Sequence, residues 1–172
     1  MAKRPADPTN AGAPAARQVP MRDFSRSLPM SLLRAREAVM RQFRPKLREH
    51  GLTEQQWRIL RALAAIEAAE VTELARTAFL LGPSLSRILR DLEARNLIER
   101  RTAKSDQRRS MVSISKEGVK LMASVAPSSE AIYAEITQRF GARKLAELQE
   151  MLGELEQSLA ELGAADGASA EE

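Results

Sequence analysis

Near Asn96 the hydrophobic period of this chain changes. From Thr53 onward, apolar residues recur at helical spacing in three short stretches, each with its own start signal; beyond Asn96 they alternate. Thr53-Glu54-Gln55-Gln56 reads as a capping box for a helix through Trp57, Leu60 and Leu63. Thr72 is placed to cap a second, short helix from Glu73 to about Phe79, with Leu74 and Ala75 turned inward. Gly82-Pro83-Ser84 sets a loop glycine before a proline at a first helical position. A third helix therefore opens there, carries Leu85, Ile88, Leu89 and Leu92 inward, and ends near Asn96. Leu97–Arg101 and Met111–Ile114 then read as strands around a polar tip, Thr102–Ser110.

Longer helices flank this region. On a wheel with Leu32 at the origin, Pro29, Val39, Met40, Phe43 and Leu47 share a narrow arc, giving a helix over Leu28–His50 that Pro45 should bend and Gly51 should end. Ser115 restarts a helix toward Gly141, interrupted at Pro127. From about Ala142 a last helix carries Leu145, Leu148, Leu152, Leu155, Leu159 and Leu162 on one stripe, a pattern that commonly packs on a partner helix. Residues 1–20, rich in Ala and Pro, and residues 163–172 have no periodicity and read as disordered tails.

Composition removes several classes of function. The chain has 172 residues and no cysteine, which excludes disulfides and thiolate metal sites. Its one histidine, His50, is too little imidazole for a metal cage or a catalytic triad, so neither a metal nor a cofactor is expected. No dinucleotide fingerprint, P-loop or nucleophile elbow is present, so the chain is not read as an enzyme. Aromatics make up 3%, too few for a platform that stacks single-stranded nucleic acid. No apolar run approaches the ~20 residues of a membrane span, and no secretory leader is evident, so the cytoplasm is the expected compartment.

Charge is unevenly spread. The net +4 combines an excess of seven positive charges over residues 1–50 and four over 84–109 with an excess of six negative charges over 143–172 and of one over the remaining stretches. A basic middle beside an acidic end suits a protein that meets a polyanion with one surface, although solvated helix faces produce the same counts.

Two short helices joined by a tight turn, followed by a basic-tipped hairpin, are the parts of a winged helix-turn-helix. The second of those helices sets Ser84, Ser86 and Arg87 in its first turn, where major-groove readers place their base contacts. Arg87 fits a bidentate contact to guanine, the serines suit bases or phosphates, and Arg90, a turn later, suits the DNA backbone. At the hairpin tip Arg108 and Arg109 would protrude, with Asp106 orienting Arg108 toward a narrow minor groove.

The segments GLTEQQWRIL, VTELARTA, PSLSRILRDLEARNLIERR, SDQRRS and ISKEG, in this order and spacing, resemble the MarR family of transcriptional regulators over roughly residues 24–160. RDFSRSLPMSLLRAREAVMRQFRP further resembles the subgroup that controls homoprotocatechuate (4-hydroxyphenylacetate) degradation operons. The family's Asp-x-Arg wing motif is intact at Asp106 and Arg108, while Asn96 replaces the usual glycine before the first wing strand and tolerates left-handed geometry. The resemblance implies a repressor of an aromatic-acid catabolic operon, released from DNA by a small phenolic carboxylate. It also implies a homodimer that sets two reading helices on a pseudopalindromic operator, with half-sites ~34 Å apart.

The expected fold is thus mainly α with a small β-hairpin wing. Its expected divisions are an N-terminal dimerisation helix over 21–51, a winged helix-turn-helix over 52–115 and C-terminal dimerisation helices over 116–162. The alternatives are a DNA-binding regulator or architectural protein without an effector, and a helical scaffold, which would leave the basic hairpin without a purpose.

Arg36 is the anomaly on the first helix. It falls about 40° from Leu32, inside the apolar stripe. A buried guanidinium needs a partner. Structurally, Arg36 pairs with a carboxylate of the C-terminal helices or snorkels along the dimer seam; functionally, it receives the carboxylate of an aromatic acid in bidentate geometry. His50 and Trp57, near the junction of the first two helices, would line the same cavity; otherwise Trp57 is core and His50 a helix C-cap.

Overall fold

The computed structural model describes residues 23–103 and 106–168, with the side chains of 102–109 and of 162 onward outside the description. The expected tail over residues 1–20 lies outside the described residues. The chain forms two compact units, Met1–Ala38 and Val39–Glu172. The elements are α1 (Leu28–Glu49), α2 (Glu54–Ala64), β1 (Ala69–Glu70), α3 (Val71–Thr77), α4 (Gly82–Ala94), β2 (Ile98–Ala103), β3 (Asp106–Ile114), α5 (Lys116–Phe140) and α6 (Ala142–Ala168). Mainly helical, with one three-stranded antiparallel sheet of order β1-β3-β2, this is a winged helix-turn-helix. No helix among the described residues is long and apolar enough to cross a membrane.

In the first unit a 3-10 turn, Phe24–Arg26, precedes α1. The Ser25 hydroxyl donates to Asp23 Oδ1 at 2.6 Å and the Ser25 N–H at 2.8 Å. Those hydrogen bonds hold the Asp23 carboxyl below its ordinary range. Arg34 Nη2 reaches the Ser25 carbonyl at 2.6 Å, tying the turn to the helix that follows.

In the second unit the core is built from short helices that each offer one apolar face. Leu85, Leu89 and Leu92 of α4, at helical spacing, are fully buried with Ile59, Leu60 and Leu63 of α2 and Leu74 of α3. Each such side chain contributes roughly 1.5–3 kcal/mol of transfer free energy. Val112 of β3 and Val125 of α5 close the same cluster. The polar remainder of α4 is thereby turned outward.

The capping box at Thr53 is present: Thr53 Oγ1 accepts from the Gln56 N–H at 3.2 Å, and Gln56 Oε1 accepts from the Thr53 N–H at 2.8 Å. Three helices end in the same way. In each, two backbone N–H groups beyond the last turn donate back to the carbonyls left open at its end: Gly51 and Leu52 after α1, Phe79 and Leu80 after α3, Asn96 and Leu97 after α4. The turn residue has positive φ in all three, at 65° for Gly51, 50° for Phe79 and 56° for Asn96. Asn96 thus adopts the left-handed geometry its amide side chain tolerates.

Several boundaries differ from those the sequence suggests. α3 starts at Val71 rather than Glu73, with Glu70 instead of Thr72 at its N-cap and no side-chain cap bond. β1, too short to show alternation, pairs Ala69 with Val112 and Glu70 with Met111, and this pairing fixes where the helix begins. The hairpin strands extend into the stretch expected as a polar tip, since Thr102 pairs with Ser110 and Ala103 with Asp106. A two-stranded ribbon satisfies its backbone without apolar side chains, so alternation underestimates it. α5 is one helix through Pro127. The proline removes a single ladder bond, while Val125 and Ser129 on either side are buried. α6 continues to Ala168, past Leu162, although Gly163, Asp166 and Gly167 in that stretch are poor helix formers.

Candidate nucleic-acid interface and ligand cavity

α4 displays its first turns to solvent. Leu85 is buried, whereas Ser84, Ser86, Arg87 and Arg90 are all exposed. Arg90 Nε folds back toward the Ser86 carbonyl at 3.4 Å. Ser84 and Arg87 border a cleft of about 460 Å³ whose other walls include Thr53 and Gln55 at the start of α2 and Leu80 before α4.

Two side-chain bridges hold α4 in this posture. Gln56, buried with 8% of its surface exposed, donates through Nε2 to Asp91 Oδ2 one turn beyond Arg87. Arg58 donates to the Ala78 carbonyl at 2.8 Å, at the end of α3, and to Glu54 at 2.9 Å. Arg44 of α1 meets the other Glu54 oxygen at 3.1 Å. The turn between α3 and α4 is therefore anchored to α2 by a guanidinium, and α4 itself by an amide.

In the wing, Arg101 pairs with Glu99 at 2.6 Å and Arg100 lies 3.7 Å from Glu93. The side chains of Asp106, Arg108 and Arg109 lie outside the described residues, and with them the expected Asp106–Arg108 pair. Their backbone belongs to β3 rather than to a loop.

Across α2 from this surface, a cavity of about 480 Å³ opens between α2 and α5. Trp57 and Arg61, one turn apart on α2, face Met122, Ala126, Ser129 and Glu130 of α5. Trp57 is 8% exposed and serves as both core and cavity wall. The Ser129 hydroxyl is buried and has no hydrogen-bond partner among the described residues. A buried hydroxyl without a partner is uncommon enough to call for one. The cavity thus offers an aromatic wall, a guanidinium and, buried in its wall, an unpartnered hydroxyl.

Of the expected ligand residues in the second unit, only Trp57 lines this cavity. His50 does not line this cavity; from the turn just beyond α1 its Nδ1 faces the Ser124 hydroxyl of α5 at 3.2 Å. Arg36 lies in the first unit, with Nη1 2.8 Å from Glu37 Oε1 and 44% of its side chain exposed, so the burial expected from the helical wheel is absent in the single chain. Leu32 and Leu33 on the same helix are also exposed, at 40% and 48%. Arg61 and Ser129 were not singled out from the sequence. The signal for Arg61 was its position four residues after Trp57, which puts both on one face of α2; Ser129 had none. Among the described residues, no group of three or more His, Asp or Glu is arranged to hold a metal ion.

A sequence model of the MarR family matches residues 50–109, which run from just before α2 into the first part of β3. The chain is 41% identical over 128 residues to the homoprotocatechuate degradative operon repressor of Escherichia coli, covering 74% of this chain and 86% of that one. The crystal structure of NadR in complex with 4-hydroxyphenylacetate superposes with a TM-score of 0.70 at 37% identity, covering 80% of this chain and 97% of that one. The repressor CouR, bound to a 23-mer DNA duplex, gives 0.71 at 26% identity, covering 77% and 94%.

Proposed function

The chain belongs to the MarR family, and from that premise we propose that it is a homodimeric repressor of an aromatic-acid catabolic operon, released from its operator by a small phenolic carboxylate. Duplex DNA, a second copy of the chain and the aromatic acid are its partners, and it acts in the cytoplasm. The observation that carries the reading is the double duty of α2. One face holds α4 through Gln56 and Asp91, and the neighbouring residues Trp57 and Arg61 line the cavity.

On DNA, Ser84, Ser86 and Arg87 enter the major groove, Arg90 meets the backbone, and Asp106, Arg108 and Arg109 of the wing serve the minor groove. The apolar side chains exposed on α1 (Leu28, Leu32, Leu33) and α6 (Leu148, Met151, Leu152, Leu159) are the surfaces for the second copy. Dimerisation then falls to residues 21–51 and 116–162, and DNA binding to 52–115. The dimer sets the reading helices about one DNA turn, ~34 Å, apart.

In the cavity, the effector's ring lies against Trp57 and Met122, its carboxylate meets Arg61, and its phenol meets the Ser129 hydroxyl once that buried, unpartnered group rotates toward the cavity. Glu130 at the same wall disfavours a second anionic group there. Arg36 is the other candidate cation for the carboxylate. Release requires the acid to bind more tightly to a dimer whose reading helices are wrongly spaced. A coupling of about 1–3 kcal/mol changes operator affinity roughly 5- to 150-fold.

The test is fluorescence anisotropy on the duplex upstream of the protein's own gene, with and without 4-hydroxyphenylacetate and homoprotocatechuate. Tight, steeply salt-dependent binding that either compound relieves is the expected result. Binding indifferent to both would instead favour a DNA-binding regulator without an effector.

A further inference from the structure

We propose that Phe79 and Leu81, in the turn between α3 and α4, form an apolar reading element that packs against thymine C5-methyl groups in the operator's major groove. The inference rests on the DNA-binding reading above and assigns to the turn a part of base recognition that α4 alone does not carry.

Phe79 stands where the fold wants a different residue. Of the three positive-φ positions that end α1, α3 and α4, two hold Gly51 and Asn96, the residue types that tolerate the conformation. The third holds Phe79 at φ 50°, a bulky side chain in a region that disfavours it. Its ring brings no compensating burial, being 78% exposed. Leu81, the N-cap of α4, is 80% exposed and makes no side-chain cap bond, although Ser, Thr, Asp or Asn would stabilise the helix there. In a chain with only four phenylalanines, two residues ill-suited to folding therefore immediately precede the reading helix.

Their surroundings point to DNA. Leu80, between them, borders the cleft shared with Ser84 and Arg87. Gly82 follows Leu81, yet its φ is not positive and a Cβ there would meet nothing within 4 Å. Folding does not require glycine at that position, whereas a bare backbone lets a partner come close. Among base edges in the major groove only thymine offers a methyl group, and exposed apolar side chains beside hydrogen-bonding serines and an arginine match a mixed site.

The experiment removes the methyl alone. Each thymine of the duplex upstream of the gene is replaced in turn by deoxyuridine, and affinities are measured for the full-length wild type, Leu81→Ala and Phe79→Asn. At one or more positions the wild type should lose about three- to fivefold per methyl, as expected for one buried methyl group. The two variants should bind the unmodified duplex more weakly and show no further loss at those positions. Phe79→Asn should also raise the melting temperature by about 2–4 °C, because Asn fits the left-handed turn. That result separates lost contact from lost folding. Uracil penalties equal in wild type and variants would overturn the proposal while leaving the repressor reading intact. Phe79→Asn shifting the oligomeric state with unchanged penalties would overturn it too, assigning the patch to protein contact. Failure of the wild type to bind any of the duplexes would remove both readings together.

Discussion

Gln56 and Asp91 join the start of α2 to the middle of α4 through one amide. Gln56 Nε2 donates to the Asp91 carboxylate, and Oε1 of the same side chain closes the capping box on the Thr53 N–H at 2.8 Å. Gln56 is buried, so it has few other ways to satisfy its four hydrogen-bonding positions. Any displacement of the α2 N-terminus is passed to a residue one turn from Arg87, and Trp57 and Arg61 on α2 line the cavity.

Gln56→Ala should therefore destabilise the fold by about 1–3 kcal/mol, through loss of half a capping box and of a hydrogen bond to a carboxylate. Asp91→Asn, whose amide oxygen still accepts from Gln56 Nε2, should cost less. Urea midpoints measure both, and the double variant should be less destabilised than the sum of the singles, since the two residues share one contact.

Arg87→Ala should weaken operator binding by about 1–3 kcal/mol and relax base preference at one position in each half-site. Arg108→Ala should weaken binding similarly for all sequences and lower the salt slope by about one. Anisotropy titrations on a set of point-mutated duplexes at several salt concentrations separate the two. Equal, sequence-blind losses would contradict the roles given to them.

Arg61→Ala should leave operator affinity within about twofold while raising the effector concentration for half-release roughly 10- to 150-fold, the value of a hydrogen-bonded charge pair. Arg36→Ala, measured alongside, decides which guanidinium takes the carboxylate. If only Arg36→Ala loses the response, the cavity between α2 and α5 is not the sensor.

Leu152→Glu should split the dimer, because it puts a charge into the exposed apolar row of α6. Sedimentation velocity should then find the monomer, and operator affinity should fall by about 100-fold or more as two-site binding is lost.

Gly118→Ala should destabilise by about 2–3 kcal/mol in urea unfolding without altering any surface that meets DNA. A Cβ at Gly118 would lie 2.7 Å from Ile114 Cγ1 and closer still to the Leu97 carbonyl oxygen. The glycine lets α5 begin against the base of the wing, where the Ser115 hydroxyl donates to the Asn96 carbonyl at 2.6 Å and accepts from the Gly118 N–H at 3.0 Å.

What the sequence by itself determined is local. Period and start signals depend on neighbours within one or two turns, so the capping box at Thr53, the opening of α4 at Gly82-Pro83 and the change to strands after Asn96 were all legible. So was the outward set of Ser84, Ser86 and Arg87, because burying Leu85, Leu89 and Leu92 leaves those positions facing solvent. Tertiary structure decided whatever depends on residues far apart in the chain. β1 owes its existence to pairing with β3 more than forty residues later, and its end in turn moved the start of α3. Pro127 stays helical because both sides of it are packed. The cavity and the unpartnered Ser129 hydroxyl in its wall arise only where α2 and α5 meet. His50, adjacent in sequence to the α1–α2 junction, is directed to Ser124 instead. A helical wheel gives the face a residue occupies on its own helix; which other helix comes to cover that face is set by long-range packing, and the wheel carries no record of it.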